Sequence, residues 1–140
     1  MIETYEIEFG TSKKNEVKNL TQEVKKRVKK SDVEDGLCLL FAPHATGVLI
    51  LNENERGIKK DYLKGLKEIA PENNDWDHDM IDNNAHAHIK SAFVGTDRTI
   101  PISNGKLDLG RWQDIFFIET DGPRNRRRLI VKILGKRKED

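Results

Sequence analysis

Four short apolar runs have to supply the interior of this chain: Leu37–Ala42, Thr46–Leu51, Asp114–Ile118 and Leu129–Leu134. Each has the length of a strand and falls far short of the ~18 residues that a membrane-crossing helix needs. Charged residues make up 35% of the 140 and hydrophobic ones 36%, so little else is left to fill a core. An interior built from such runs is an interior of strands. The length fits a single domain, residues 1–140, with one sizeable core.

Around these runs the pattern alternates between strand and helix signals. Ile2 to Phe9 has period two, with Ile2, Thr4, Glu6 and Glu8 on one side and Glu3, Tyr5, Ile7 and Phe9 on the other, which predicts a half-exposed strand. Val17, Leu20, Val24 and Val28 recur at helical spacing. They suit either one helix reaching to Ser31 or a shorter one capped by Thr21 after an extended lead-in. The continuous runs at Leu37 and Thr46 predict strands buried on both faces. Ile58, Tyr62, Leu66 and Ile69 predict a second helix closed by Pro71. Ile89, Ala92 and Phe93 suggest a short third helix near His88. Strands follow at 99–103, 114–120 and 126–134, with turns at Asn104-Gly105 and Asp121-Gly122-Pro123, and residues 136–140 should fray. About seven strands with two or three helices, in hairpin-like order, predict an α+β fold with largely antiparallel sheets.

Several function classes are disfavoured at this level. A net charge of +1 argues against a surface devoted to nucleic acid. The one cysteine, Cys38, lies inside an apolar run, where it reads as a small buried hydrophobe, and no disulfide framework is possible. The acidic, alternating N-terminus is unlike a signal peptide. A soluble cytoplasmic protein with no membrane and no nucleic-acid partner is the expectation.

Site chemistry is concentrated between Asp75 and Lys90, where three of the four histidines, His78, His86 and His88, sit among the aspartates Asp75, Asp77, Asp79 and Asp82. Three imidazoles with an open position would suit zinc or another borderline divalent ion, magnesium being the hard-ion alternative. The spacing matches no standard zinc signature, and a hydrogen-bonded polar loop without metal explains the same residues. The aspartates resemble a calcium loop in composition but lack its glycine and closing glutamate. His86 and His88 carry a geometric condition: on a helix they diverge by about 200°, so a shared ion requires an extended or pre-helical backbone.

Outside the loop, His44 lies between two core strands, as an acid/base group or as a turn-capping histidine. Glu53 follows the end of a buried strand, as a working carboxylate or as one favoured by a helix start. Arg124, Arg126, Arg127 and Arg128 follow a tight turn and could fork onto phosphate. Arg127 is in phase with Leu129, Val131 and Ile133, which ties it to the core side.

Six stretches together resemble the YjbQ-like family, whose members are commonly credited with a secondary thiamine-phosphate synthase activity. They are Phe41 to Gly47, Leu51 to Asn54, Asn84 to Ala92, Ile100 to Leu107, Leu109 to Gln113, and Asp121-Gly122-Pro123-Arg124 with its arginine-rich continuation. The resemblance implies a β-sandwich-like core, a homotrimer with pockets near subunit boundaries, and one polar site gathering His44, Glu53, His78, His86, His88 and Gln113. His44-Ala45-Thr46 departs from the family's pattern by losing one hydroxyl. The implied reaction couples hydroxymethylpyrimidine pyrophosphate to a thiazole phosphate, and a divalent ion with Lys90, Arg124 or Arg127 would stabilise the departing pyrophosphate. The expectation is therefore an enzyme acting on a phosphorylated small molecule, with His44, Glu53 and Gln113 catalytic, His78, His86 and His88 on a metal, and those three cations on phosphate. A metal-assisted phosphate-ester hydrolase and a non-enzymatic metal- or ligand-binding trimer are the alternatives.

Overall fold

Strands carry most of this fold. In the computed structural model, which describes residues 1–138, the order is β1 (Ile2–Phe9), β2 (Glu16–Asn19), α1 (Thr21–Ser31), β3 (Val33–Phe41), β4 (Val48–Asn52), α2 (Arg56–Ile69), a 3-10 turn (Asp77–Met80), α3 (Ala85–Val94), β5 (Asp97–Ser103), β6 (Lys106–Leu107), β7 (Asp114–Glu119) and β8 (Arg127–Arg137). One sheet has the order β1-β8-β3-β5-β6 and the other β2-β7-β4, and every neighbouring pair is antiparallel. The α+β expectation holds. The strands exceed the expected seven because β2 and β6 are too short to show in the hydrophobic pattern. No helix among the described residues is long and apolar enough to cross a membrane.

The ambiguity after Gly10 resolves into an extended lead-in and a shorter helix. β2 pairs with the edge of β7, and the Asn19 carboxamide then accepts the Thr21 backbone N–H at 2.9 Å where α1 begins. The Thr21 hydroxyl accepts the Ile115 N–H at 2.8 Å, so this residue ties the helix start to β7 instead of capping it. At α2 the capping carboxylate is Glu55, which accepts from Gly57 N and Ile58 N at 2.6 and 2.8 Å. Glu53 is therefore not the helix cap. At the other terminus β8 runs on to Arg137, so the fraying expected from residue 136 does not begin there, and residues 139–140 lie outside the described part.

The two sheets face each other across one apolar layer. Cys38, Leu40, Val131 and Ile133 from the larger sheet meet Leu49, Ile115 and Phe117 from the smaller, and Val24 and Val28 of α1 close the side. Burial pushes the Cys38 thiol up to about 12, which suits a packing residue. On its other face the smaller sheet is covered by α2, through Val48 and Ile118 against Leu66, Tyr62 and Leu63. Two glycines are fixed by close approach. A Cβ on Gly36 would lie 2.0 Å from the Leu134 carbonyl oxygen across the β3–β8 ladder, and one on Gly47, at φ +145, would lie 2.4 Å from the Phe117 ring.

The run at Leu37 departs from its expectation. Cys38 and Leu40 are buried, but Leu37 and Phe41 are 50% and 40% exposed, because no element among the described residues covers the outer face of the larger sheet there. The register sets Ile2, Leu134, Leu37 and Pro101 side by side across four strands, all exposed.

At one end the sheets are joined by an ion pair inside the protein. Arg127 of β8 is 5% exposed and Glu119 of β7 is 0% exposed. The guanidinium donates from Nε to Glu119 Oε1 at 2.9 Å and from Nη2 to Oε2, and Nη2 also meets the Thr46 carbonyl at 2.6 Å. The Thr11 hydroxyl donates to Oε1 at 2.8 Å, while Thr120 N and Asp121 N donate to Oε2 at 3.1 Å. Burial alone would raise the carboxyl pKa, but these donors overturn that and hold it below the usual carboxylate range.

Glu119→Gln leaves a buried guanidinium without its counter-charge and should destabilise the fold by about 3–5 kcal/mol in urea unfolding, whereas Arg127→Met combined with Glu119→Leu should lose less. The linkage has a definite sign. With the folded pKa depressed, the pair's stabilisation is complete above the unfolded value of about 4.3 and is lost as pH falls through the folded one. Acid titration of unfolding stability should accordingly be shallower in Glu119→Gln than in the parent.

Candidate functional site

The histidine-bearing loop runs from the end of α2 to the start of α3. Its aspartates and tryptophan shape it. Trp76 donates its indole N–H to the Pro71 carbonyl at 2.7 Å, Asp75 takes a left-handed backbone at φ 51, and Asp79 Oδ1 accepts the Ala85 N–H at 3.2 Å at the start of α3. His78 falls on the 3-10 turn, where a featureless loop was expected.

His86 and His88 both lie inside α3, so the condition for a shared ion is not met. Helical geometry sends the two rings to different sides. His88 turns toward His78, with ring centroids 5.0 Å apart and planes at 70°, edge to face. Together they line a cleft of about 680 Å³ with Trp76, Asp75, Asp77 and Ile89. His86 turns inward and is 1% exposed. Among the described residues no group of three or more His, Cys, Asp or Glu side chains is placed to hold a metal ion. The three-histidine set does not fit a zinc or magnesium ion within one chain, and His78 and His88 remain as a pair.

The inward-facing group is a chain of charges. Lys90, four residues after His86 on α3 and 1% exposed, donates from Nζ to His86 Nδ1 at 2.8 Å. His86 Nε2 lies 3.4 Å from Glu72 Oε1, and Glu72 pairs in turn with Lys14. Burial lowers the pKa of Lys90, with Glu72 opposing, and burial together with the Lys90 charge lowers that of His86. This group fastens the loop after α2 to α3.

A second chain connects the loop to the Asp121 turn. His78 Nε2 is 3.0 Å from Asn84 Oδ1, Asn84 Nδ2 donates to Asp121 Oδ2 at 2.8 Å, and Arg124 Nη2 donates to the same oxygen at 2.7 Å. Arg124 N donates to the Thr11 hydroxyl at 2.9 Å, so this turn shares its anchor with Glu119.

Three cations were expected on phosphate, and the structure separates them. Lys90 and Arg127 are interior groups with interior partners, so neither reaches a ligand at the surface. Arg124, with its side chain 47% exposed, does reach solvent. His44 is half-buried in the turn before β4. Its Nε2 sits 3.0 Å from the Arg128 backbone N and 3.2 Å from Arg128 O, and its ring edge packs on Phe117. Burial, then the nearby Arg127 charge, lowers its pKa, which keeps it a neutral acceptor for that N–H. The ring thus fastens the turn before β4 to β8.

Glu53 and Gln113 lie at the other end of the small sheet. Asn52 pairs with Asp114, and Val48 with Ile118, so both follow the strand ends remote from His44 and Glu119. Six residues of strand from Gln113 to Glu119 span about 20 Å. Gln113 Oε1 accepts the Gly110 N–H at 2.8 Å, while the Tyr62 hydroxyl donates to the Glu53 carbonyl at 2.9 Å. One chain thus gathers His44, His78, His86, His88, Arg124 and Arg127 toward one end and leaves Glu53 and Gln113 at the other. Glu119 could have been suspected as a charge closing an apolar strand, and Asn84 as the residue that opens the Asn-Ala-His-Ala-His motif. Nothing in it pointed to Glu72.

Comparison with known proteins adds the family. The model of the UPF0047 protein YjbQ-like family matches residues 5–136. A UPF0047 protein of Archaeoglobus fulgidus is 41% identical over 129 residues, covering 92% of this chain and 99% of that protein, and YugU of Bacillus subtilis is 35% identical over 139, covering 96% and 100%. A crystal structure of a protein of unknown function from Sulfolobus solfataricus superposes with TM-score 0.96 at 40% identity, covering 97% of this chain and 99% of that one. Another, from Clostridium acetobutylicum, gives 0.87 at 40% identity, with 93% and 99% covered. The agreement extends through both sheets and the loop between α2 and α3, and the chain belongs to the YjbQ-like (UPF0047) family.

Proposed function

We propose that this protein is an enzyme acting on a small molecule in the His78–His88 cleft. One observation carries the proposal. Of the four histidines, His44 and His86 are half-buried or buried, while His78, bonded through Nε2 to Asn84, and His88 sit ring against ring in a cleft beside Trp76. Paired imidazoles at a solvent-filled concavity are suited to proton transfer and to hydrogen bonding with developing charge.

The finer proposal is the coupling that the family resemblance brings. In it, the thiazole nitrogen forms a bond to the methylene carbon of hydroxymethylpyrimidine pyrophosphate. The carbon–oxygen bond to pyrophosphate breaks, and pyrophosphate leaves with the electron pair. The indole of Trp76 offers a face for a heteroaromatic ring, Asp75 and Asp77 offer acceptors to an amino group, and Arg124, joined to His78 through Asp121 and Asn84, is the exposed one of the three expected cations and the one assigned to phosphate. His88 would donate to the departing oxygen. No step is assigned to a metal ion, because the donor set of one chain does not suit one.

Glu53 and Gln113 enter this scheme through a second copy. We place them, in a homotrimer, beside the histidine cleft of a neighbouring subunit, since about 20 Å of strand keeps them from the cleft of their own. The exposed row Ile2, Leu134, Leu37 and Pro101 supports self-association, being an apolar sheet face of the kind that subunit contacts cover.

His88→Ala should lower the coupling rate at least ~100-fold, the usual scale for a lost proton donor, with the circular dichroism spectrum unchanged. An unaltered rate removes the pair from catalysis. Pyrophosphate release without the thiazole partner would mark a hydrolase instead, and stoichiometric zinc without turnover a binding protein. The shared site has its own test. Refolding equal amounts of His88→Ala with Glu53→Ala should restore roughly a quarter of the parent activity, because that fraction of randomly mixed interfaces pairs two intact halves. Leu37→Asp should reduce the solution mass to that of one chain and abolish activity with it.

A further inference from the structure

The orientation of one ring in the cleft is determined by a chain of hydrogen bonds that begins at the Asp121 turn. Asp121 Oδ2 is a carboxylate oxygen that accepts from Arg124 Nη2 at 2.7 Å. The Asn84 atom 2.8 Å from that oxygen must therefore be the donor, Nδ2, which fixes which way the carboxamide faces. Its other atom, Oδ1, is then the one directed at His78, and an amide oxygen also only accepts. The His78 nitrogen 3.0 Å from it, Nε2, must in consequence carry the proton. Asn84 is 8% exposed, so water does not compete freely for this arrangement. In the neutral ring Nδ1 is left with a lone pair and, among the described residues, with no hydrogen-bond partner.

We infer that Asn84 is a positioning residue of the cleft: braced by Asp121 and Arg124, it locks His78 in the Nε2–H tautomer and presents Nδ1 to the ligand as an acceptor. Resting on the proposed use of this cleft, the inference narrows what the cleft takes. The group set against His78 has to be a hydrogen-bond donor, an N–H such as an aminopyrimidine carries or an O–H, and a phosphate oxygen is excluded from that position. It also divides the pair, with His78 accepting and His88 free to donate. The Asp121 turn acquires a second role, as the fixed point from which a ring two contacts away takes its protonation pattern.

Nitrogen-15 NMR of the intact protein at about pH 8.5, roughly two units above the ordinary imidazole pKa, tests this directly. The four histidines give few resonances, and His78→Gln identifies the one required. His78 should show the two-bond coupling pattern of the Nε2–H form, and the Nδ1–H pattern would overturn the inference with no variant needed. In Asn84→Ala, and in Asp121→Ala, whose side chain does not touch His78, the ratio of Nδ1–H to Nε2–H should rise about fivefold, the worth of one hydrogen bond. An unchanged ratio in both, with folded spectra, overturns it equally. Coupling assays on the same samples keep the two proposals apart: a shifted ratio with unaltered turnover sustains the tautomer lock and counts against catalysis in the cleft.

Discussion

The ion pair of Arg127 with Glu119 is the contact on which the functional end of this molecule depends. It crosses from one sheet to the other, and its carboxylate also organises backbone that belongs to neither. Thr11 bonds to that carboxylate and to Arg124 N, while Asp121 N bonds to it directly, so the Asp121–Arg124 turn is held to the sandwich by the same charge that joins the sheets. From the turn the chain of bonds passes through Asp121 and Asn84 to His78. A side chain in a surface cleft thus takes its position from a buried charge on β7, and that explains why arginine occupies a place in an otherwise apolar phase of β8. Lysine could not supply the paired contacts and reach the Thr46 carbonyl as well.

Much of the scaffold was legible because burial on one side of a strand leaves a period of two. β1 and β8 show that alternation, β4 and β7 show instead as continuous runs because both their faces are covered, and the phase of Arg127 with Leu129, Val131 and Ile133 placed it toward the core. What that phase could not carry was the partner. An arginine on the core side reads equally as a pocket-mouth phosphate ligand and as half of a buried pair, and only the three-dimensional position of Glu119 decides between them. Lys90 failed for a related reason. Its neighbours in sequence are histidines and apolar residues, and the group that explains its burial, His86 with Glu72 behind it, is assembled from two elements. The condition on His86 and His88 was legible in full, since a helix through both excludes a common ion, but whether the helix began at Ala85 or after His88 was not.

The run Leu37 to Ala42 marks a different limit. A continuous apolar strand states that both faces are covered without stating by what. In this chain the inner face meets the sandwich and the outer row, from Ile2 across to Pro101, meets nothing. The separation of Glu53 and Gln113 from the histidine cleft has the same form if, as proposed, the site takes a part from each end of the small sheet. In the proposed trimer a second copy would cover the row and bring Glu53 and Gln113 to a cleft together, Leu37 of the row lying on β3 and Glu53 directly following β4, the next strand.

The histidines show how one residue type divides its work by environment. His44 is held neutral by burial beside Arg127 and accepts a backbone N–H, and His86 is held neutral by burial beside Lys90 and accepts an ammonium N–H. Both are therefore committed as acceptors in the interior, one bracing β8 and the other bracing α3. His88 lies on the second of these, α3, and His78 on the 3-10 turn, which Asn84 at the start of α3 holds at 3.0 Å. In the proposed use of the cleft a ring exchanges a proton during the reaction, and the interior pair, bonded to Arg128 N and to Lys90, would give it a fixed surround. The cluster of three histidines in the sequence is better understood as one structural histidine between two at the surface, with the helix start at Ala85 deciding which is which.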